Sequence, residues 1–325
     1  MKIAICAPCH IPPTKDWIYA LEREAKLGNA DVFIIDDSDG KLGELPSNWR
    51  VYDYAKQKEF LGELYEDFAT MFHKCSACRI FGHLVAYKEN YDVIIGLDSD
   101  CVVPFFFVQS HLSILNTKKA YGWSNPLGGS GWFTRGYPYS MRDWRIIANM
   151  GMWDNVLDLN GKDRQKDEPK RINVVGSTIA PAPLPFSGMN FSMLREAIPG
   201  FLFLPNFKYQ NNDFRRIDDV WGGYIFQSLM RKRREAVVYG QPIVFHDTIV
   251  VPAEDAAEEE AMYKWEDNFI NTVDHAMNFN TMVAPQFMPY FDLFSLFVNE
   301  LKKQPSIFEA LIPAMDWWLK ALKPK

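Results

Sequence analysis

The chain has no excess of positive charge. Its 35 lysines and arginines face 41 aspartates and glutamates, a net charge of −6 over 325 residues. That balance argues against nonspecific attraction to nucleic acid or to an anionic membrane surface. It also lacks any run approaching the eighteen uncharged apolar residues of a membrane helix, so no membrane insertion is expected. No internal repeat or low-complexity tract occurs, which sets solenoid architectures aside. Cysteine is scarce and odd in number, five in all. That suits a reducing, cytoplasmic compartment better than a disulfide framework. The start "MKIAICAPCH" enters a strand-like run directly, and no signal peptide is expected.

Four of the cysteines form two CxxC pairs, Cys6/Cys9 and Cys75/Cys78. Formally this is a four-thiolate zinc set, but about 65 residues lie between the pairs, where compact zinc modules use roughly 15–20. The first pair falls at a strand end and the second inside a helical pattern. Small buried residues are the better reading.

What the chain does have is core material: 48% hydrophobic and 15% aromatic residues, enough for one large domain with or without a smaller appendage. "KIAICAP" reads as a buried strand, residues 14–28 as a helix, and "DVFIIDDSDG" as a strand ending in acids. Residues 59–89 carry helical spacing. Then comes "YDVIIGLDSDC", an apolar strand that runs into Asp98-Ser99-Asp100. Strands alternating with helices predict an α/β fold with a mostly parallel sheet. From about residue 124 the pattern is irregular, and "NGKDRQKDEPKR" reads as an exposed loop. "DDVWGGYIFQSLMRKRRE" predicts a helix with a solvated basic end, and "AVVYGQPIVFHD" a strand ending at His246. The expected division is an α/β domain over residues 1–254 and a helical extension over 255–325. Trp265, Trp317 and Trp318 in that extension suggest an apolar face needing a partner surface, hence a homo-oligomer.

Carboxylates are almost never buried unless paired or holding a metal, and ligands of parallel sheets gather at the strands' carboxyl ends. Two strands here end in acids: Asp36, Asp37 and Asp39 on one, Asp98 and Asp100 on the other. Asp98 and Asp100 are candidate ligands for Mn²⁺ or Mg²⁺, with His246 a plausible third; an ion so held can clamp a diphosphate. In "TRGYPYSMRDW", Pro138 puts Arg135 on a turn. Ser140 and Asp143 resemble a capping pair that places Arg142 in a helix first turn, a natural anion site.

"SACRIFGHLVAYKENYDVIIGLDSDC" resembles the nucleotide-sugar segment of GT-A glycosyltransferases. "RGYPYSMRDW", "NMGMWDNVLDLNG", "FSGMNFSMLRE", "RRIDDVWGGYIF", "PIVFHD" and the tail "AMDWWLKAL" resemble, in order, motifs of the reversibly glycosylated polypeptides, the UDP-arabinopyranose mutases. The chain departs from them at Asp98-Ser99-Asp100, where the family has three aspartates, and at Asp143-Trp144, where it has Glu-Gly. Trp144 is thereby expected to shape the sugar pocket. The resemblance implies a GT-A, Rossmann-like fold, a UDP-sugar substrate and dependence on Mn²⁺ or Mg²⁺. It implies interconversion of UDP-arabinopyranose and UDP-arabinofuranose, with the sugar carried covalently on Arg135 and Arg142 needed for activity.

On that basis Asp100 and His246 would hold the metal, with Asp98 sharing it or reaching the ribose. Asp37, Asp39 and the neighbouring Arg79 would hold the nucleoside. Guanidinium offers no free lone pair, so attack by Arg135 needs a proton acceptor. Asp219 and Asp218 are the candidates, Asp218 alternatively being a helix N-cap. Asn190 is assigned to sugar hydroxyls. Two other readings compete: a GT-A transferase with a separate acceptor, and a self-glycosylated carrier protein.

Overall fold

The computed structural model describes residues 1–116, 120–123, 132–165, 178–179, 183–249, 251–303 and 305–323. Its strands are β1 (Ile3–Cys9), β2 (Ala30–Asp36), β3 (Arg50–Tyr52), β4 (Val93–Leu97), β5 (Cys101–Val102), β6 (Arg145–Asn155), β7 (Thr178–Ile179), β8 (Asn190–Leu194), β9 (Phe207–Tyr209), β10 (Asn212–Phe214) and β11 (Glu235–His246). The helices are α1 (Lys15–Gly28), α2 (Tyr54–Leu61), α3 (Tyr65–Phe72), α4 (Ile80–Lys88), α5 (Phe107–Leu115), α6 (Gly161–Arg164), α7 (Asp218–Arg233), α8 (Pro252–Glu258), α9 (Glu260–Ala276), α10 (Tyr290–Leu301) and α11 (Ile312–Leu322).

One large sheet has the order β3-β2-β1-β4-β8-β6-β11-β5, with β7 also on β11; β9 and β10 form a separate hairpin. Strands β1 to β4 pair in parallel, and β6 pairs in parallel with β11, while β8 and β5 run antiparallel to their neighbours. The carboxyl ends of β1, β2, β4, β6 and β11 therefore share one edge. This is the expected α/β class, a Rossmann-like parallel half-sheet with helices behind it.

Local chemistry explains the elements. Thr14 caps α1 by accepting from the Trp17 amide at 3.2 Å, and Asn29 closes it in the left-handed region. β1 is buried along its whole length because helices cover both sheet faces. Ala4 and Cys6 face one core and Ile3, Ile5, Ala7 and Cys9 the other. The two CxxC pairs consequently do not converge. All five cysteines are free and buried, and burial pushes Cys9 up to about 12 and Cys75 to about 11. Neutral thiols of this kind are packing residues, as expected. Gly82 of α4 allows the close approach of helix to sheet, since a Cβ there would meet Ile35 at 2.7 Å.

Three expectations need correction. The pattern over residues 59–89 is not one helix. Gly62 at φ 56° ends α2, and Lys74 at φ 59° turns the chain before α4. The detour brings the Lys74 amide to Asp37 at 2.7 Å. Residues 161–164 are not exposed loop but helix α6, with Gly161 and Arg164 buried against the tail; residues 166–171 lie outside the described residues. The basic end of α7 is only partly solvated: Arg233 binds Glu235, stacks on Tyr290 and donates to the Met288 carbonyl.

The tail's aromatic face is satisfied within the chain. Trp318 is fully buried and donates to the Pro199 carbonyl at 3.3 Å. Trp317 donates to the Leu64 carbonyl at 3.0 Å and packs on Phe68 and Phe72. Phe269 stacks on Trp221 of α7 at 4.1 Å. These rings belong to the same core as α4 and β8. The argument for a homo-oligomer from an uncovered tail face therefore falls.

Candidate active site

A cavity of about 330 Å³ lies at the carboxyl edge of the sheet. β4 delivers Asp98 and Asp100, β11 delivers His246, the turn after β6 delivers Asp158, and the first turn of α7 delivers Asp218 and Asp219. Each reaches the cavity because it follows a buried apolar strand or opens a buried helix.

Asp100 and His246 face each other, with Oδ2 to Nε2 at 3.4 Å. His246 Nδ1 lies 2.8 Å from the Val156 carbonyl. That contact puts a ring proton on Nδ1 and turns Nε2 toward Asp100, so Nε2 is the nitrogen a metal would take in exchange for its proton. Burial pushes Asp100 up, but the hydrogen bond and charge of His246, together with the Thr248 hydroxyl, outweigh it and hold the carboxyl below its ordinary range. Burial likewise lowers His246, and Asp100 more than reverses this. Cys101 lies in the same ligand cluster, but its buried thiol is pushed well above its ordinary value, so it is a poor third ligand.

Asp98 is turned the other way, 2.7 Å from Arg79 Nη1. Burial raises it to about 6 even so. Arg79 also donates to the Gly188 and Ser76 carbonyls and stacks on Phe203. Asp219 accepts from the Gly188 amide at 2.6 Å and the Val220 amide at 2.8 Å. Burial, then Asp218 and Asp158, push its carboxyl well above the ordinary range. Asp218 is the first residue of α7, with Ile217 at the cap, so it is not the N-cap.

Asp37 and Asp39 stand beside the cavity rather than in its lining. Asp37 is buried, accepting from the Tyr54 hydroxyl at 2.8 Å and the Lys74 amide, with His10 at 3.1 Å. Asp39 is exposed and pairs with Lys74 at 2.8 Å. Asn190 is a correction. It is fully buried, with Oδ1 on His111 at 3.0 Å and Nδ2 donating to the Met152 and Pro242 carbonyls. It ties β8 to β6 and β11 and has nothing left for a sugar.

Both loop arginines lie outside the lining. They sit on the segment that enters β6 at Arg145, whereas the cavity meets the other end of that strand, at Trp153 and beyond Asn155. At ~3.3 Å per residue the strand spans on the order of 30 Å. Arg135 is exposed on a turn. Arg142 is not in a helix first turn. Tyr139–Met141 is a single 3-10 turn, Arg142 is extended, and its guanidinium packs over Phe133 and Tyr139 at 4.1 and 4.0 Å. Trp144 is buried, donates to the Ser140 carbonyl and bridges Ala120, so it does not shape the cavity.

Several lining residues were not foreseen. Asp158 accepts from Ser187 at 3.1 Å, and burial raises its carboxyl. Arg164 is pinned to the Leu157 and Leu159 carbonyls at 2.7 and 3.1 Å. Arg216 lines the wall together with Asp255 and Glu259 of the tail. Asp158 obeys the same strand-end rule that found Asp98, within the quoted stretch "NVLDLNG". The tail residues carry no local signal.

A family model described as reversibly glycosylated polypeptide matches residues 25–325. UDP-arabinopyranose mutase 1 of Arabidopsis thaliana is 27% identical over 265 residues, 76% of this chain and 72% of that protein. UDP-arabinopyranose mutase 1 of Oryza sativa subsp. japonica is 24% identical over 264 residues, 76% and 71%. Among solved structures, mannosyl-3-phosphoglycerate synthase from Rubrobacter xylanophilus aligns with a TM-score of 0.45 at 9% identity, over 89% of this chain and 80% of that one.

Proposed function

The chain belongs to the reversibly glycosylated polypeptide family, and from that premise we propose that it is a metal-dependent UDP-sugar pyranose–furanose mutase acting on UDP-arabinopyranose. The observation that carries the reading is the Asp100–His246 pair, with Nε2 turned toward Asp100 by the Nδ1 contact to Val156, set among carboxylates at the sheet's carboxyl edge. This donor set fits Mn²⁺ or Mg²⁺, Mn²⁺ better because of the imidazole. When bound, the ion supplies Lewis-acid stabilisation of a departing diphosphate.

The protein's own groups do the rest. Arg79 holds Asp98 in place at the cavity wall. Asp219 is held by the Gly188 and Val220 amides, one on each oxygen, and burial raises its carboxyl. Asp218, on the same wall, is then assigned the proton from the attacking group. In the ring change the bond from the anomeric carbon to UDP breaks. The original ring oxygen then leaves that carbon and takes a proton, a different sugar hydroxyl gives up its proton and closes the new ring there, and the bond to UDP re-forms.

In the covalent version Arg135 forms a C–N bond as UDP leaves, and a carboxylate takes the guanidinium proton. The exposure of Arg135 outside the cavity lining favours a second reading, in which the cavity delivers the sugar to an acceptor standing in solvent. Incubation of pure protein with UDP-arabinopyranose and Mn²⁺, followed by separation of nucleotide sugars, distinguishes them. UDP-arabinofuranose forming without any acceptor is expected; UDP appearing only when an acceptor is added would make the protein a transferase.

A further inference from the structure

Seven carboxylates and three guanidiniums line the cavity. An anionic group enters such a place only next to a cation with capacity to spare. Arg164 is shut away from such a group, its side chain being 2% exposed, with Nε and Nη2 donating to carbonyls and Nη1, which makes no hydrogen bond, 3.5 Å from Asp255. Arg79 is 7% exposed, with Nε on Ser76 and Nη1 shared between Gly188 and Asp98. Arg216 differs. Its side chain is 39% exposed, Nε binds Glu259 at 3.0 Å and Nη1 faces Asp255 at 3.3 Å. Its Nη2 makes no hydrogen bond among the described residues.

Two further features show that this position is built. Arg216 has φ 53°, a left-handed backbone that non-glycine residues adopt at a cost and that persists only when the surroundings enforce it. Glu259, itself 5% exposed, does the enforcing. Besides Arg216 it accepts from the Gly161 amide at 2.8 Å and from the Tyr263 hydroxyl. One carboxylate of the tail thus fixes both Arg216 and the α6 turn that follows Asp158.

We propose that Arg216 is a diphosphate-binding residue of this cavity, and that Asp255 and Glu259 of the C-terminal helices are positioning residues that hold its guanidinium there. This rests on the nucleotide-sugar reading above. The tail, on this view, completes the substrate site and is not an appendage to it. A planar guanidinium with one nitrogen free can take a phosphate oxygen while its other edge stays fixed.

The test is calorimetric titration of UDP and of uridine, with Mn²⁺, into wild type, Arg216→Gln and Arg216→Lys. Gln leaves the backbone as strained as before but removes the charge, so UDP should bind about 10- to 100-fold more weakly while uridine is unaffected. Lys keeps the charge without the fork and should fall between. Unchanged UDP affinity in Arg216→Gln, or an equal loss for uridine, overturns the inference while leaving the nucleotide-sugar reading intact. Wild type that ignores UDP removes that reading first. Should the Gln chain not fold, the Lys variant decides: unchanged UDP affinity there overturns the role.

Discussion

At the scale of single residues, the site combines groups the sequence announces with groups it hides. Asp98, Asp100 and His246 were legible because each ends an apolar run, and strand ends of a parallel sheet converge whatever the loops do. Asp100→Ala and His246→Ala are each expected to abolish the Mn²⁺-dependent part of UDP binding with the melting profile kept. Titrations with and without Mn²⁺ check this, and an Asp100→Ala protein that keeps its Mn²⁺ response would remove the ion from this pair. Asn190 misled because an amide looks like a ligand group. Its setting in "GMNFSML" is an apolar run, and there a polar side chain must be satisfied inside the core, as it is by His111, Met152 and Pro242. Arg216, Asp255 and Glu259 were illegible for the opposite reason. Their meeting depends on α8 and α9 folding back over α6, which is set by packing and not by local pattern.

At the scale of elements, strands read better than their connections. β1, β2, β4, α1, α7 and β11 stand where apolar periodicity put them. The break between α2 and α4 was missed because its cause is tertiary: Lys74 turns toward Asp37, an acid some forty residues away in sequence. The tail was legible as helix but not in its docking, since an amphipathic face does not say what covers it. Here α3, α4 and α7 cover it, and that changes the prediction. Trp318→Ala removes a fully buried indole and its bond to Pro199, a loss of about 3–5 kcal/mol for a ring of this size. The expected result is a markedly lower unfolding midpoint in the isolated chain, at a protein concentration where no assembly forms. A melting curve matching wild type would mean that α11 contributes little to the core.

At the scale of the whole molecule, buried titratable groups of opposite sense oppose each other as the medium is acidified. His83 and His111 are fully buried, and burial drives both down to about 3. They stay neutral in the fold while the unfolded chain protonates near pH 6.5, so stability is lost as pH falls from there toward 3. Each histidine contributes about 1.4 kcal/mol per pH unit across that window. Asp98, Asp158 and Asp219 act with the other sign. Their raised carboxyls keep a proton that the unfolded chain gives up above its ordinary carboxylate range, so stability is lost as pH rises through it. The overall profile conceals both, and a difference between variants separates them. His111 is bonded to Asn149 and Asn190, and changing it would disturb the sheet. His83 has no hydrogen-bond partner among the described residues and packs on Phe191 and Phe203. His83→Leu should therefore gain on wild type as the pH is lowered, by about 2 kcal/mol between pH 6.5 and pH 5. Urea titrations of both proteins at several pH values read that gap directly. A gap that stays constant with pH would mean that His83 takes up a proton in the folded chain as readily as in the unfolded one.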